Sequence, residues 1–183
     1  MRKNGFTLIE LLVTFVILGI VTAIAIPGFA RWLPNYRLKS AARDVYSNMQ
    51  LARMGAIKAN ADWAIVFDAG SNTYRVCSDD GGDGDWKDGD EVEEKIVNLT
   101  NYESGVGYGH GNAANSIPGG AFPGDDISYN PPANVVVFNP RGTCNAGYVY
   151  LHNNNNTTTY GVGTQSSGVI RLLKWNSSAA SWE

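Results

Sequence analysis

GFTLIELLVTFVILGIVTAIAIPGF, residues 5–29, is the stretch of sequence that decides the fold. Glu10 is its only charged residue, so the run is long and apolar enough to cross a bilayer as one helix, which takes about 20 residues. A carboxylate inside a membrane helix is costly unless it finds a partner, and such residues usually have a specific role. We therefore interpret Glu10 as an assembly contact.

An ordinary secretory signal and a plain membrane anchor are the two simpler interpretations of this segment. Arg2 and Lys3 precede the apolar run, and the sequence Ala-Ile-Ala at 23–25 offers a small-residue cleavage site. A secretory signal, however, does not place an acid at the head of its apolar core, and a plain anchor leaves Glu10 without a role. The order glycine, phenylalanine and glutamate therefore favours a different class of protein.

The segment resembles the N-terminus of type IV pilins and of the pseudopilins of type II secretion. This resemblance implies that a prepilin peptidase cuts between Gly5 and Phe6 and that the new terminus is methylated, giving N-methylphenylalanine at Phe6. It also implies that Glu10 pairs with the N-terminal amine of a neighbouring subunit. Opposite charges in an apolar bundle offset each other's desolvation, so the pair would set register and recruitment more than net stability.

Helical periodicity continues beyond the apolar run. Apolar residues recur at alternating steps of four and three, which predicts an amphipathic helix whose stripe a sheet must cover. Pro27 and Pro34 each remove a backbone donor, so we expect the helix to bend or loosen between them. The stripe consists of Leu38, Ala42, Val45, Met49, Ala52 and Ala56.

After Asn60 the sequence changes to short runs of β-branched and aromatic residues, separated by turns rich in Gly, Asn, Asp and Ser. This pattern predicts a mainly antiparallel β domain. The segment 105–132 is rich in glycine and proline and is predicted to be a long surface loop with little regular structure. The predicted strands are Trp63–Phe67, Thr73–Cys77, Glu94–Leu99, Val135–Phe138, Gly147–Leu151, Thr158–Val162 and Val169–Trp175.

The body of the chain resembles the GspH/FimT class of minor pilins and pseudopilins. The segments that carry the likeness are QLARMGAI at 50–57, VFNPRG at 137–142 and GVIR at 168–171. The resemblance implies an α+β, type IV pilin-like fold in which a long N-terminal helix packs on a mainly antiparallel sheet domain. The expected segments are a prepilin leader peptide at 1–5, a hydrophobic transmembrane and assembly helix at 6–30, its amphipathic continuation at 31–60, and a periplasmic β-rich globular domain at 61–183.

The function that the resemblance implies is structural rather than enzymatic. We expect a minor pseudopilin at the tip or initiation of the periplasmic pseudopilus of a type II protein secretion system, the filament that drives exoprotein export. Its location would be the inner membrane, with one span and the C-terminal domain in the periplasm. Its partners would be other pseudopilins or pilins of the same filament, the prepilin peptidase, the inner-membrane assembly platform and membrane lipid. The alternatives are a minor type IV pilin for pilus assembly and a FimT-like pilin that captures DNA in natural transformation.

Charge and histidine content argue against two other kinds of activity. The chain after Asn60 has 6 basic residues against 15 acidic ones, whereas contacts with nucleic acid phosphates need clustered lysine and arginine. Arg171 and Lys174 are the only bases after Arg141. The histidines, His110 and His152, show no spacing typical of a catalytic triad or a zinc site.

An acidic, glycine-rich stretch at 79–91 is the one candidate cofactor site. Hard oxygen ligands on a flexible loop suit calcium, although the spacing is not that of an EF-hand because Lys87 stands where the third ligand should be. A solvated acidic loop without metal is the alternative, since such side chains are mostly exposed. The residues that could hold calcium are Asp83, Asp85, Asp88 and Asp90.

Two cysteines, Cys77 and Cys144, permit one disulfide if the domain faces an oxidising compartment. Closing a loop of this length would stabilise the domain by roughly 4 kcal/mol in the chain-entropy picture. Two buried free thiols are the alternative. We expect the disulfide.

Overall fold

One helix, α1 (Leu8–Ala59), contains 52 residues and begins directly after the N-cap Thr7 in this computed structural model. The structure describes residues 5–183, apart from the side chains at positions 27, 30 and 31; residues 1–4 of the expected leader, Arg2 and Lys3 among them, lie outside the described residues. The helix ends at Asn60, whose left-handed backbone (φ 54°) lets its N–H donate to the carbonyl of Ala56.

The N-terminal part of α1 is exposed along its whole length among the described residues 5–183. Residues Leu8–Ile26 are long and apolar enough to cross a membrane by length and composition, and none of them is buried. The helix continues without interruption through Pro27 and Pro34. The helix is therefore not unwound between the two prolines, because each proline removes only one amide donor and the neighbouring bonds keep the helix intact. A bend at this point stays a prediction.

The C-terminal part of α1 packs between two antiparallel sheets, contacting β1 and β2 of one sheet and β7 and β8 of the other. All six residues of the predicted apolar stripe are fully buried. The first sheet has the order β3-β2-β1-β5 and the second the order β4-β6-β7-β8-β9. The strands are β1 (Trp63–Asp68), β2 (Thr73–Asp79), β3 (Val92–Asn98), β4 (Gly107–Tyr108), β5 (Val135–Phe138), β6 (Gly147–His152), β7 (Tyr160–Thr164), β8 (Ile170–Asn176) and β9 (Ser181–Trp182).

The predicted α+β, type IV pilin-like class is confirmed, and all seven predicted strands are present within a few residues of their expected bounds. The two-residue strands β4 and β9 and the short 3-10 helix Leu99–Tyr102 were not predicted. Elements this short carry too few residues to show a periodicity of two or of three.

The segment 105–132 is irregular, as predicted, but it is not merely a surface loop. Val106, Ile127 and Tyr129 are buried in the main core, and the Tyr129 hydroxyl lies 3.0 Å from the Thr164 hydroxyl. Ile127 also forms an isolated β-bridge with Val149. The apolar residues scattered through this segment hold it against the second sheet.

The expected disulfide is not formed, because Cys77 and Cys144 are both buried free thiols. Cys77 is paired with Ala64 in the register of β1 and β2, and both belong to a small cluster on the outer face of the first sheet. Cys144 belongs to the main core, where its backbone forms an isolated β-bridge with Phe138. Since successive residues of a strand point to opposite faces, the first sheet itself separates the two sulfurs.

Candidate functional site

The N-terminal end of α1 contains the residues that the sequence assigns to processing and assembly. Thr7 caps the helix, and Glu10 occupies the third helical position. The Thr7 hydroxyl accepts from the backbone N–H of Glu10 at 3.3 Å, and Glu10 Oε2 accepts from the Thr7 backbone N–H at 2.9 Å. This reciprocal arrangement is a capping box, which satisfies two donors that a helix start otherwise leaves unpaired.

Sequence reasoning assigned Glu10 to assembly and missed its capping role. The signal was present, because threonine followed three residues later by glutamate before an apolar run is the signature of a capping box. The structure gives Glu10 a bonding partner within its own chain before any neighbour is considered. Among residues 5–183, however, no donor bonds to Oε1, the second carboxylate oxygen.

Glu10 and Phe6 share one exposed groove along the helix surface. Phe6, the residue after the expected cut, is 89 % exposed, and Gly5 before it is exposed as well. The peptide bond between Gly5 and Phe6, where cleavage is expected, therefore lies exposed and outside the helix. The groove is lined by Phe6, Ile9, Glu10, Val13, Thr14 and Ile17.

The acidic loop brings three of the four proposed calcium ligands together. Carboxylate oxygens of Asp83, Asp88 and Asp90 all lie within 4.8 Å of one another, and the three residues are exposed. Asp85 is not part of this group, and its Oδ1 accepts from the backbone N–H of Lys87 at 3.0 Å. The oxygens suit a hard divalent cation in kind, but three monodentate groups fall short of the six to eight ligands that calcium prefers, so water would complete the shell.

Proton sharing relieves the repulsion within this group of carboxylates. A hydrogen bond to Asp88 raises the pKa of Asp90 to about 6, and the negative charges of Asp88, Asp83 and Glu91 add to that effect. The same hydrogen bond lowers the pKa of Asp88. The pair thus holds one proton in mildly acidic solution and loses it near neutral pH, where a cation could take its place.

The basic residues near the C-terminus do not form a patch. Arg171 and Lys174 are both exposed on β8, but an odd separation of three places their side chains on opposite faces of the strand. The histidines form no catalytic group with each other. His110 Nδ1 lies 2.5 Å from Asp126 Oδ1, and His152 Nδ1 lies 2.8 Å from Asn156 Oδ1.

Two protein-family profiles match this chain. The profile described as type II transport protein GspH matches residues 41–168, which cover the buried half of α1 and most of the β domain. The chain belongs to the GspH family. A second profile, the prokaryotic N-terminal methylation motif, matches residues 1–26 and so includes Gly5, Phe6 and Glu10. No curated protein sequence matches this GspH-family chain.

Solved structures share the fold of the GspH-family chain. The minor pseudopilin EpsH from the type 2 secretion system of Vibrio cholerae aligns with a TM-score of 0.51 and 16 % identity over 75 % of this chain and 96 % of EpsH. The type IV minor pilin FimU of Pseudomonas aeruginosa aligns with a TM-score of 0.50 and 12 % identity over 77 % of this chain and 91 % of FimU. The GspH-family chain is thus a pilin-like protein of the pseudopilin and minor pilin class.

Proposed function

We propose that this chain is a minor pseudopilin of a type II protein secretion system, acting at the tip or initiation of the periplasmic filament. The observation that carries the proposal is the wholly exposed apolar helix Leu8–Ile26 with Glu10 near its start. A helix of this kind must be covered by lipid or by other helices, because exposed apolar surface of that size is unstable in water. The apolar helix of a filament subunit lies in lipid before assembly and packs against other helices in the filament.

Processing would leave the assembly end of the helix intact. Cleavage between Gly5 and Phe6, followed by N-methylation of Phe6, places the new amine one residue before the Thr7 cap. The capping box lies entirely on the mature side of the cut, so removal of the leader does not disturb it. Residues 1–4 of the leader precede the described residues.

Pairing with a neighbour would use the part of Glu10 that its own chain leaves free. Oε2 is occupied by Thr7, whereas Oε1 receives no hydrogen bond from any described residue. The methylated amine of another subunit would supply both a donor and the opposite charge. In an apolar bundle such a pair offsets the desolvation of two ions, and it fixes the axial register of one helix against the next.

The proposed location and partners follow from this role. One span would hold the chain in the inner membrane, with the β domain in the periplasm. Prepilin peptidase would process the chain, the assembly platform would deliver it, and other pseudopilins would bind its apolar helix. Enzyme activity has no place in this proposal, because the filament acts by growing.

A minor type IV pilin is the second candidate function, and the fold shared with FimU favours it to a similar degree. Both machines pack the same kind of apolar helix, so the N-terminal segment supports either one. DNA capture as in FimT-like pilins is less well supported, since Arg171 and Lys174 point to opposite faces of β8 and acidic residues outnumber basic ones in the domain.

A deletion strain tests the proposal when three outputs are measured in parallel: exoprotein release, twitching motility and DNA uptake. We expect exoproteins to accumulate in the periplasm while twitching and DNA uptake continue, and we expect the wild-type gene to restore release. Loss of twitching with normal release would instead identify a minor type IV pilin. Loss of DNA uptake alone would identify a DNA-capturing pilin.

A further inference from the structure

We propose that an exposed stripe on α1, just beyond the apolar span, is a membrane-interface anchor that binds the phospholipid headgroup layer. The inference rests on the proposed membrane location and adds to it a surface that sets how deeply the helix sits. We call these residues the interface stripe: Phe29, Trp32, Tyr36 and Lys39.

The three aromatic members form a continuous ladder. The ring centroids of Phe29 and Trp32 are 5.8 Å apart, and those of Trp32 and Tyr36 are 4.8 Å apart in a stacked arrangement. The residues are 60 %, 53 % and 55 % exposed, so more than half of each side chain is open to its surroundings. Rings that are apolar in body and polar at the tip are enriched where a helix passes through the headgroup layer.

The stripe faces away from the β domain. At 100° per residue its four members fall within a sector of about 80°, roughly 100–180° from Leu38, which is buried against the sheets. Lys39 is exposed and forms no ion pair with a residue in the range 5–183. Arg37, on a different face of the helix, is instead bound to Glu103 at 2.5 Å. On this face of the helix, Lys39 thus lies C-terminal to the three aromatic rings, with no ion-pair partner among the described residues.

The length of the helix determines how far the interface stripe lies from the hydrocarbon core. A hydrocarbon core of about 30 Å takes about 20 helical residues, so a core that starts between Leu8 and Leu11 ends at about residues 27–30. Trp32 then lies about 3–8 Å beyond the core, which falls in the headgroup layer of about 5–8 Å on that side of the bilayer. Side chains on a helix point toward its N-terminus, here toward the membrane. With a core that ends at residue 30, Lys39 lies about 14 Å beyond it, and a stem of about 6 Å brings the ammonium group back to the outer edge of the headgroup layer.

Lipid fits this surface better than a second protein helix does. An interface between helices favours small residues that let the backbones approach, whereas the interface stripe presents three large rings and a cation. The matching environment has an apolar layer below and anionic phosphate above, and this order is the one found along the stripe. The ligand is therefore a phospholipid surface, with a preference for anionic headgroups at Lys39.

Depth-dependent quenching of Trp32 tests the proposal on the full chain in vesicles of phosphatidylcholine and phosphatidylglycerol. Trp32→Phe is the reference, because subtracting its emission from that of the wild type cancels the four tryptophans of the β domain. We expect lipids brominated near the headgroup to remove most of the difference emission, lipids brominated near the chain end to remove less, and aqueous acrylamide to remove little.

A matched pair of variants tests whether the Lys39 ammonium group favours anionic headgroups. Lys39→Gln should abolish the gain in Trp32 quenching that phosphatidylglycerol gives over phosphatidylcholine alone. Arg43→Gln should keep that gain, because Arg43 lies on the same face one turn farther from the membrane. Equal behaviour of the two variants would refute the role of Lys39.

The proposal is overturned if the difference emission responds to acrylamide and not to brominated lipid while the chain still floats with the vesicles. Protection that depends on protein concentration and not on lipid bromine would assign the stripe to a second copy, which also overturns it. The assay contains no secretion machinery, so its failure is separable from failure of the proposed function.

Discussion

Glu10 accepts two hydrogen bonds from Thr7 at one carboxylate oxygen, from the backbone amide at 2.9 Å and from the hydroxyl at 2.8 Å. The helix start thus holds the side chain in a fixed orientation before assembly. The second oxygen receives no donor from the part of the chain that the structure describes, so it is available to a neighbour. In the proposed assembly, capping and pairing would use different oxygens of one carboxylate.

Substitution of Glu10 should therefore separate insertion from assembly. We expect Glu10→Ala to be inserted and cleaved normally, because the apolar run and the Gly5–Phe6 bond are untouched. Recovery of this variant with partner subunits after mild detergent extraction should fall to a small fraction of the wild-type level. Glu10→Gln should be nearly as defective, since it keeps the size of the side chain but not the charge.

Thr7→Ala is the matched control for the capping role. It removes the hydroxyl that donates to Oε2 and accepts from the Glu10 N–H, which costs the helix start about 1 kcal/mol, but it leaves the backbone amide bond to Oε2 and the carboxylate itself. Recovery with partners should remain close to wild type. A defect as large as that of Glu10→Ala would mean that Glu10 acts through the cap and not through a neighbour.

Asn48 links the helix to the first sheet inside the core. Its side-chain amide donates to the Tyr74 hydroxyl at 2.6 Å and accepts from the Lys95 ammonium at 3.0 Å. Asn48→Ala leaves the buried hydroxyl without its donor, so we expect a loss of about 1–3 kcal/mol in the free energy of unfolding. Urea denaturation of the full chain in mild detergent would measure it.

Ser47→Ala is the neutral comparison, because Ser47 is exposed on the same turn and its substitution should cost less than about 0.5 kcal/mol. If the Asn48–Tyr74 bond carries the effect, Tyr74→Phe should make the Asn48→Ala change less costly. Strictly additive losses would contradict the assignment.

Periodicity predicted the helix stripe, because residues 38–56 keep one face apolar over several turns, and runs of β-branched and aromatic residues between turns predicted the seven longer strands. It could not predict β4 or β9, where two residues show no pattern, nor the docking of Ile127 and Tyr129, which depends on contacts distant in sequence. The prediction of a Cys77–Cys144 disulfide was wrong for a similar reason. Counting cysteines gives their number but not the face of the sheet on which each one lies.

Both cysteines should resist alkylation in the native protein. Cys77 is fully buried, and burial raises the pKa of its thiol to about 11, so little thiolate exists at pH 8. Only the thiolate reacts at a useful rate. We expect iodoacetamide to label neither cysteine in the folded chain and both after denaturation without reductant, as seen by intact mass. Denatured protein that takes up no label until reductant is added would show a disulfide instead.

The acidic loop should make stability depend on pH near 6. Asp90 has a pKa of about 6 in the folded chain against an ordinary value of 3.8, so the folded state holds its proton more tightly. The resulting stabilisation is fully present below pH 3.8 and is lost as the pH rises through about 6. In thermal scans without divalent cations, Asp90→Asn should lose less stability than the wild type over this interval. Parallel profiles would contradict this assignment.

If the loop binds calcium, the cation should reverse this pH dependence and make the folded chain more stable as the pH rises, because a cation favours the charged carboxylates. Calorimetry at pH 7 should then give a binding heat that Asp88→Asn removes. Asp85→Asn is the matched control and should keep that heat, since Asp85 lies outside the cluster of three. Absence of any heat with the wild-type chain would leave a solvated acidic loop.

The contact between Glu10 and a neighbouring amino terminus can be measured directly. Filaments or membrane assemblies containing both isotope-labelled and unlabelled subunits would be treated with a membrane-permeable carbodiimide, and the products analysed by mass spectrometry. We predict an amide that joins the Glu10 carboxylate of one subunit to the N-terminal amine of another, with mixed isotopes where the two are copies of this chain. Assemblies that form normally but yield no such product, or yield only links within one subunit, would contradict the account.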